Sequence, residues 1–124
     1  MRPDDLKYSA EHEWMRNEGD EVVIGITDHA AEELGDIVFI ELPEEGSEFS
    51  PGDSMGTIET VKAVEELYTP VGGTVVAVNA AVVESPETVN AAPYEGGWLV
   101  KFKPDGRESE GLMDAAAYTT MVEG

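Results

Sequence analysis

Gly56-Thr57-Ile58-Glu59-Thr60-Val61-Lys62-Ala63-Val64-Glu65-Glu66-Leu67-Tyr68-Thr69-Pro70 sets a single lysine in the middle of a β-rich segment, in a chain with only three others, Lys7, Lys101 and Lys103. Lys62 lies between the β-formers Thr60-Val61 and Ala63-Val64, and turn residues stand well outside on both sides, at Pro51-Gly52-Asp53 and Pro70-Val71-Gly72-Gly73. The pattern predicts two strands meeting at a tight bend. A long unbranched side chain at such a tip projects into water, where its amine is open to a modifying enzyme. Spacing alone is met more simply by an ordinary solvated lysine, so the assignment turns on the rest of the chain.

Working outward, specific words follow one another in order. His12-Glu13-Trp14 comes early, then Gly25-Ile26-Thr27-Asp28-His29-Ala30, Leu34-Gly35-Asp36-Ile37-Val38-Phe39 and Glu41-Leu42-Pro43. Beyond the lysine come Pro70-Val71, Val75-Val76-Ala77-Val78-Asn79, Pro93-Tyr94, Gly97-Trp98-Leu99-Val100-Lys101 and an Ala-rich C-terminal segment. Together with Glu59-Thr60-Val61-Lys62-Ala63, these words resemble the H-protein family of the glycine cleavage system over nearly the whole chain.

Short β-rich runs recur between turn signals: Val22 to Thr27, Ile37 to Leu42, Thr57 to Leu67, Thr74 to Val78 and Trp98 to Phe102. They predict a mostly β sandwich. In the last run Trp98, Val100 and Phe102 alternate with Leu99, Lys101 and Lys103, so one face is expected buried and the other largely wet. A short helix in the N-terminal half is expected over His29–Leu34, capped by Thr27 or Asp28 and stopped by Gly35. A C-terminal helix is expected from near Ser109, with Met113, Ala117, Tyr118, Met121 and Val122 at helical spacing. The resemblance implies the two-sheet lipoyl/biotinyl architecture, a barrel-sandwich hybrid, with residues 1–45 and 93–124 as additions to its minimal form. The whole of 1–124 reads as one domain.

Composition bounds the chemistry. Among 124 residues, 27 are acidic and 7 basic, for a formal net charge of −20. Such a surface repels nucleic acid and anionic lipid. Its self-repulsion weakens as salt rises, the screening length falling to about 3 Å near 1 M, so a salt-rich cytosol is the expected setting and a basic partner the alternative. No cysteine is present, which excludes disulfides and thiolate metal sites or nucleophiles. No run approaches the roughly 18 apolar residues of a membrane span, and acidic residues stand where an export signal would be apolar; a cytoplasmic location is expected.

The resemblance makes Lys62 the lipoyl-attachment residue. Acylation would remove its charge and supply the redox-active group that a chain without cysteine lacks. It implies a non-catalytic carrier that takes an aminomethyl group from glycine decarboxylase (P protein) to the aminomethyltransferase (T protein) and is reoxidised by dihydrolipoyl dehydrogenase (L protein). A lipoate ligase or a lipoyl/octanoyl transferase would attach the arm. Biotin carriers usually flank their lysine with methionines, and 2-oxoacid dehydrogenase lipoyl domains usually place Asp before it; Val61 and Ala63 fit neither. Glu13 and Glu66 match acidic positions that in the family help line a cleft for the loaded arm, though Glu66 reads equally as a solvated charge. Glu11 and Glu33 depart from the serine and histidine often found at two arm contacts. His29 matches a recurrent position, or simply belongs to a capped helix. Neither histidine has a second ligand at metal-site spacing, so no metal is expected. Trp14 and Trp98 read as core aromatics. The alternatives are a protein that relays or stores lipoate for other complexes, and an unmodified acidic interaction module.

Overall fold

The computed structural model describes residues 2–123. In chain order the strands are β1 (Lys7–Tyr8), β2 (Glu13–Glu18), β3 (Glu21–Ile26), β4 (Ile37–Glu41), β5 (Glu48–Phe49), β6 (Ser54–Thr60), β7 (Val64–Tyr68), β8 (Val71–Val78) and β9 (Val100–Glu108). The helices are α1 (Asp28–Leu34), α2 (Ala80–Glu84), α3 (Glu87–Ala91) and α4 (Ala115–Glu123). Two antiparallel sheets result, a six-stranded one in the order β1-β2-β3-β9-β8-β5 and a three-stranded one in the order β4-β6-β7, and they do not close into a barrel.

Between the sheets lies the larger core, including Val22, Ile24, Ile26, Ile40, Ile58, Leu67, Val75 and Phe102. A second core, on the outer side of the large sheet, gathers Leu6, Tyr8, Trp14 and Val23 with Ala115 and Tyr118 of α4. Strand β3 is therefore buried on both faces, which is why Val22-Val23-Ile24 is an unbroken apolar run where a half-wet strand would alternate.

The expected mostly β two-sheet sandwich is borne out, as are its two helices, with shifts of detail. Thr27 caps α1 by accepting from the Ala30 N–H at 3.2 Å, and Gly35 ends it at φ 75°. Helix α4 starts at Ala115, later than the spacing suggests. The Asp114 carboxylate accepts the Ala117 N–H at 2.8 Å there, and Met113 is already bridged to Tyr8. Leu99 is fully buried rather than on a wet face, because it precedes β9 and its N–H donates to the Ile24 carbonyl at 2.9 Å. Helices α2 and α3 lie between β8 and β9, where the sequence predicts no element. Asn90 of α3 ties the layers: its amide donates to the Ala31 and Gly35 carbonyls and its carbonyl accepts from the Ile37 N–H.

Candidate functional site

The hairpin of β6 and β7 turns through residues 61–63, and a threonine side chain holds the bend. The Thr60 N–H donates to the Ala63 carbonyl at 2.8 Å, while Thr60 Oγ1 accepts from the backbone N–H of Lys62 and of Ala63, both at 3.1 Å. Thr60 is buried, whereas Val61, Lys62, Ala63 and Val64 are exposed. The backbone of Lys62 is thus fixed from below and its side chain is in water. Close strand approach behind the tip needs Gly56, where a Cβ would run into the Glu41 carbonyl.

Beside the hairpin a cleft of about 420 Å³ opens between the hairpin, the β1–β2 turn and α1. Ile26, Ala30, Leu34, Ile58 and Leu67 give it an apolar lining; Lys62 borders it, and five glutamates, Glu11, Glu13, Glu33, Glu65 and Glu66, stand around it. Glu13 and Glu66, far apart in sequence, are brought into one cleft with Lys62. Their environments differ. Glu66 is exposed and accepts from the Ser54 hydroxyl at 2.7 Å. Glu13 is only 3% exposed and accepts from Ser9 Oγ at 2.8 Å. Burial pushes the Glu13 carboxyl up to about 8, against the opposing pull of the Ser9 hydroxyl.

His12 also borders the cleft. Its ring lies 4.9 Å from that of His29, and burial together with His29 lowers its pKa. His29 Nε2 lies 2.7 Å from Glu33 Oε1, one helical turn on, and the two departures Glu11 and Glu33 both line the cleft. From the sequence, His12 stands out as part of a word and as a histidine without a metal partner, and the roles of Ser9 and Thr60 go unmarked. A threonine just before a tight turn is a recognisable turn signal; burial of Ser9 against Glu13 has no local one. Trp14 is fully buried, with Nε1–H donated to the Pro93 carbonyl at 3.0 Å, and Trp98 is half-buried under Lys101. Both serve packing. Pro93-Tyr94 comes back to the same wall, where the Tyr94 hydroxyl donates to Asp28 at 2.5 Å.

Residues 6–124 match the family described as "Glycine cleavage H-protein". The chain belongs to the glycine cleavage H-protein family. It is 52% identical to the glycine cleavage system H protein of Myxococcus xanthus over 122 residues, 98% of this chain and 95% of the relative. With that of Escherichia coli O139:H28 it shares 53% over 123 residues, again 98% and 95%. The crystal structure of the Mycobacterium marinum H protein superposes with a TM-score of 0.92 at 39% identity, covering 99% of this chain and all of that one. As an H protein, the chain serves glycine cleavage as a lipoyl carrier and not as an enzyme, its lipoate held covalently on a lysine.

Proposed function

We propose that Lys62 is the lysine that carries lipoate, and that the cleft bordered by Glu13 and Glu66 shelters the arm. One observation carries this reading: Lys62 alone among the four lysines sits at a hairpin tip, and there it borders the apolar-walled cleft. Lys7 lies 3.6 Å from Glu108, Lys101 is 3.9 Å from Glu18 and packs on Trp98, and Lys103 is on β9. The lining fits the group, since apolar walls suit an alkyl chain and a dithiolane, and carboxylates suit a cationic amine at its end. When bound, the lipoyl group takes up an aminomethyl unit as glycine is decarboxylated and gives it up again. Glu66, exposed at the rim, attracts that amine; Glu13, buried, loses its proton more readily when a cation is beside it.

The carrier role implies docking to glycine decarboxylase, aminomethyltransferase and dihydrolipoyl dehydrogenase, and to a lipoate ligase or lipoyl/octanoyl transferase that loads Lys62. The outer face of the small sheet supports such docking: Phe39 and Val64 flank Glu59 across the strands, and both are half-exposed or more, next to the tip. Among the described residues no helix is long and apolar enough to cross a membrane. A salt-rich cytoplasm and a single domain over 1–124 belong to the same reading. Intact-mass measurement and peptide mapping of protein from its native cell test the site. Lipoate is expected on Lys62 alone, and Lys62→Arg should fold normally yet carry no arm; lipoate on another lysine would sink the assignment.

A further inference from the structure

We propose that His12 is a fixed hydrogen-bond donor to the lipoyl arm, its Nε2–H tautomer imposed by a relay running from Thr27 through the Tyr118 hydroxyl; this rests on Lys62 being the attachment site. The starting observation is backbone strain. His12 is the one residue other than glycine with positive φ among the described residues, at 71°. A glycine would meet such a turn without steric cost, so a histidine there is held for its side chain. The conformation is pinned by its N–H donating to the Ser9 carbonyl and its carbonyl accepting from the Thr27 N–H, each at 3.0 Å.

The relay follows from counting protons. Thr27 is fully buried, and its Oγ1 touches two partners: it accepts the Ala30 N–H at 3.2 Å and lies 2.7 Å from the Tyr118 hydroxyl. If Tyr118 donated to Thr27, the threonine's own proton would be buried without an acceptor, which costs the full desolvation of that group. Thr27 therefore donates to Tyr118, and Tyr118 donates onward to His12 Nδ1 at 2.7 Å. A ring that accepts at Nδ1 carries its proton on Nε2 and is neutral. Doubly protonated His12 would reverse the relay and orphan Thr27, and burial and His29 oppose that charge as well. Nε2 has no protein partner among the described residues, and no three side chains there gather as metal ligands. Once Lys62 is acylated, its ammonium is gone. The cleft's other polar side chains are mostly carboxyl groups, with Glu13 tied to Ser9, and His12 adds a neutral N–H for the acceptors the arm brings, its amide carbonyl and its sulfurs. Tyr118, which acts through His12, is a positioning residue, and it puts α4 in contact with the cleft wall.

Long-range proton–nitrogen NMR of isotope-labelled full chain tests this in unmodified, octanoylated and lipoylated forms. His12 should be the Nε2–H tautomer in all three, with the Nε2 signal moving on acylation. A shift with both acyl groups identifies the amide carbonyl as acceptor; a shift with lipoyl alone identifies a sulfur. Tyr118→Phe, which keeps the ring stacked on Tyr8, should give a mixture of tautomers and shorten the lifetime of the cargo-loaded protein about two- to tenfold, the range one net hydrogen bond allows. An Nδ1–H tautomer in the wild type, or an Nε2 signal that lipoylation of Lys62 leaves in place, overturns the inference and spares the attachment site. Acylation found elsewhere than Lys62 overturns both.

Discussion

Burying Glu13 against Ser9 makes its ionisation costly, and the cost has a sign that can be measured. In the unfolded chain this carboxyl titrates near its ordinary 4.5; folded, near 8. Between those values the folded protein holds a proton that the unfolded chain has released, so this residue's contribution to stability falls as pH rises through the window. Glu13→Gln keeps the shape and a partner for Ser9 but cannot ionise. Its stability relative to wild type should climb from pH 5 to pH 8, by on the order of 1 to 3 kcal/mol, in urea unfolding at matched ionic strength. The lowered pKa of His12 acts in the opposite direction and is shared by both proteins, so it cancels in the difference. A difference that stays constant with pH would mean that Glu13 is ionised in the fold. At this scale Lys62 was legible, because strand formers and turns bracket it locally. The burial of Glu13, paired with Ile26 across β2 and β3, and the strained backbone of His12, held by the Thr27 N–H, were not, since both depend on residues distant in sequence.

The hairpin is where sequence and structure agree best, and its weak point is a single hydroxyl. Thr60→Val keeps the β-branched shape and the burial while leaving the Lys62 and Ala63 amides without their acceptor. Amide exchange at those two positions should quicken by roughly fivefold or more, the equivalent of about 1 kcal/mol, and enzymatic lipoylation of Lys62 should slow by a similar factor while β6 and β7 stay protected. Unchanged exchange at both amides would show that the turn holds itself. Other elements were harder to read for definite reasons. Helices α2 and α3 have five residues each, too few to display a helical period, and what starts α2 is Asn79, whose carbonyl caps Ala81 while its amide reaches the Gly96 and Trp98 carbonyls. Strand β9 runs on through Pro104-Asp105-Gly106-Arg107, past the expected end of the run at Phe102. It continues because β8 follows it past register shifts, pairing Gly73 with Pro104 and Val71 with Glu108, and Gly73 alone permits that approach to the Lys103 carbonyl.

For the whole molecule, charge is the unresolved force. Arg2, Lys7, Arg16, Lys101 and Arg107 each already face a carboxylate, which takes up five of the seven basic residues and leaves most of the 27 acidic ones without a cation. Individual exposed pairs contribute only about 0.2–1 kcal/mol, so they do not offset the mutual repulsion of the remainder. Acylating Lys62 removes one more positive charge and deepens the imbalance. Between 0.01 M and 0.15 M salt the screening length drops from about 30 Å to about 8 Å, and near 1 M to about 3 Å, which leaves only nearest neighbours repelling. The melting temperature should therefore rise with potassium chloride, steeply at first and still measurably up to molar salt. For a chain of this length each 1 kcal/mol corresponds to about 4 °C, so a rise of several degrees is the expected size. The lipoylated protein should gain at least as much as the unmodified one. Scanning calorimetry across that salt range is the measurement, and a flat or falling melting temperature would reject adaptation to a salt-rich cytosol. The carrier function would stand, because it rests on the family match, and the proposed site rests on the hairpin and its cleft; neither depends on how the remaining surface tolerates its charge.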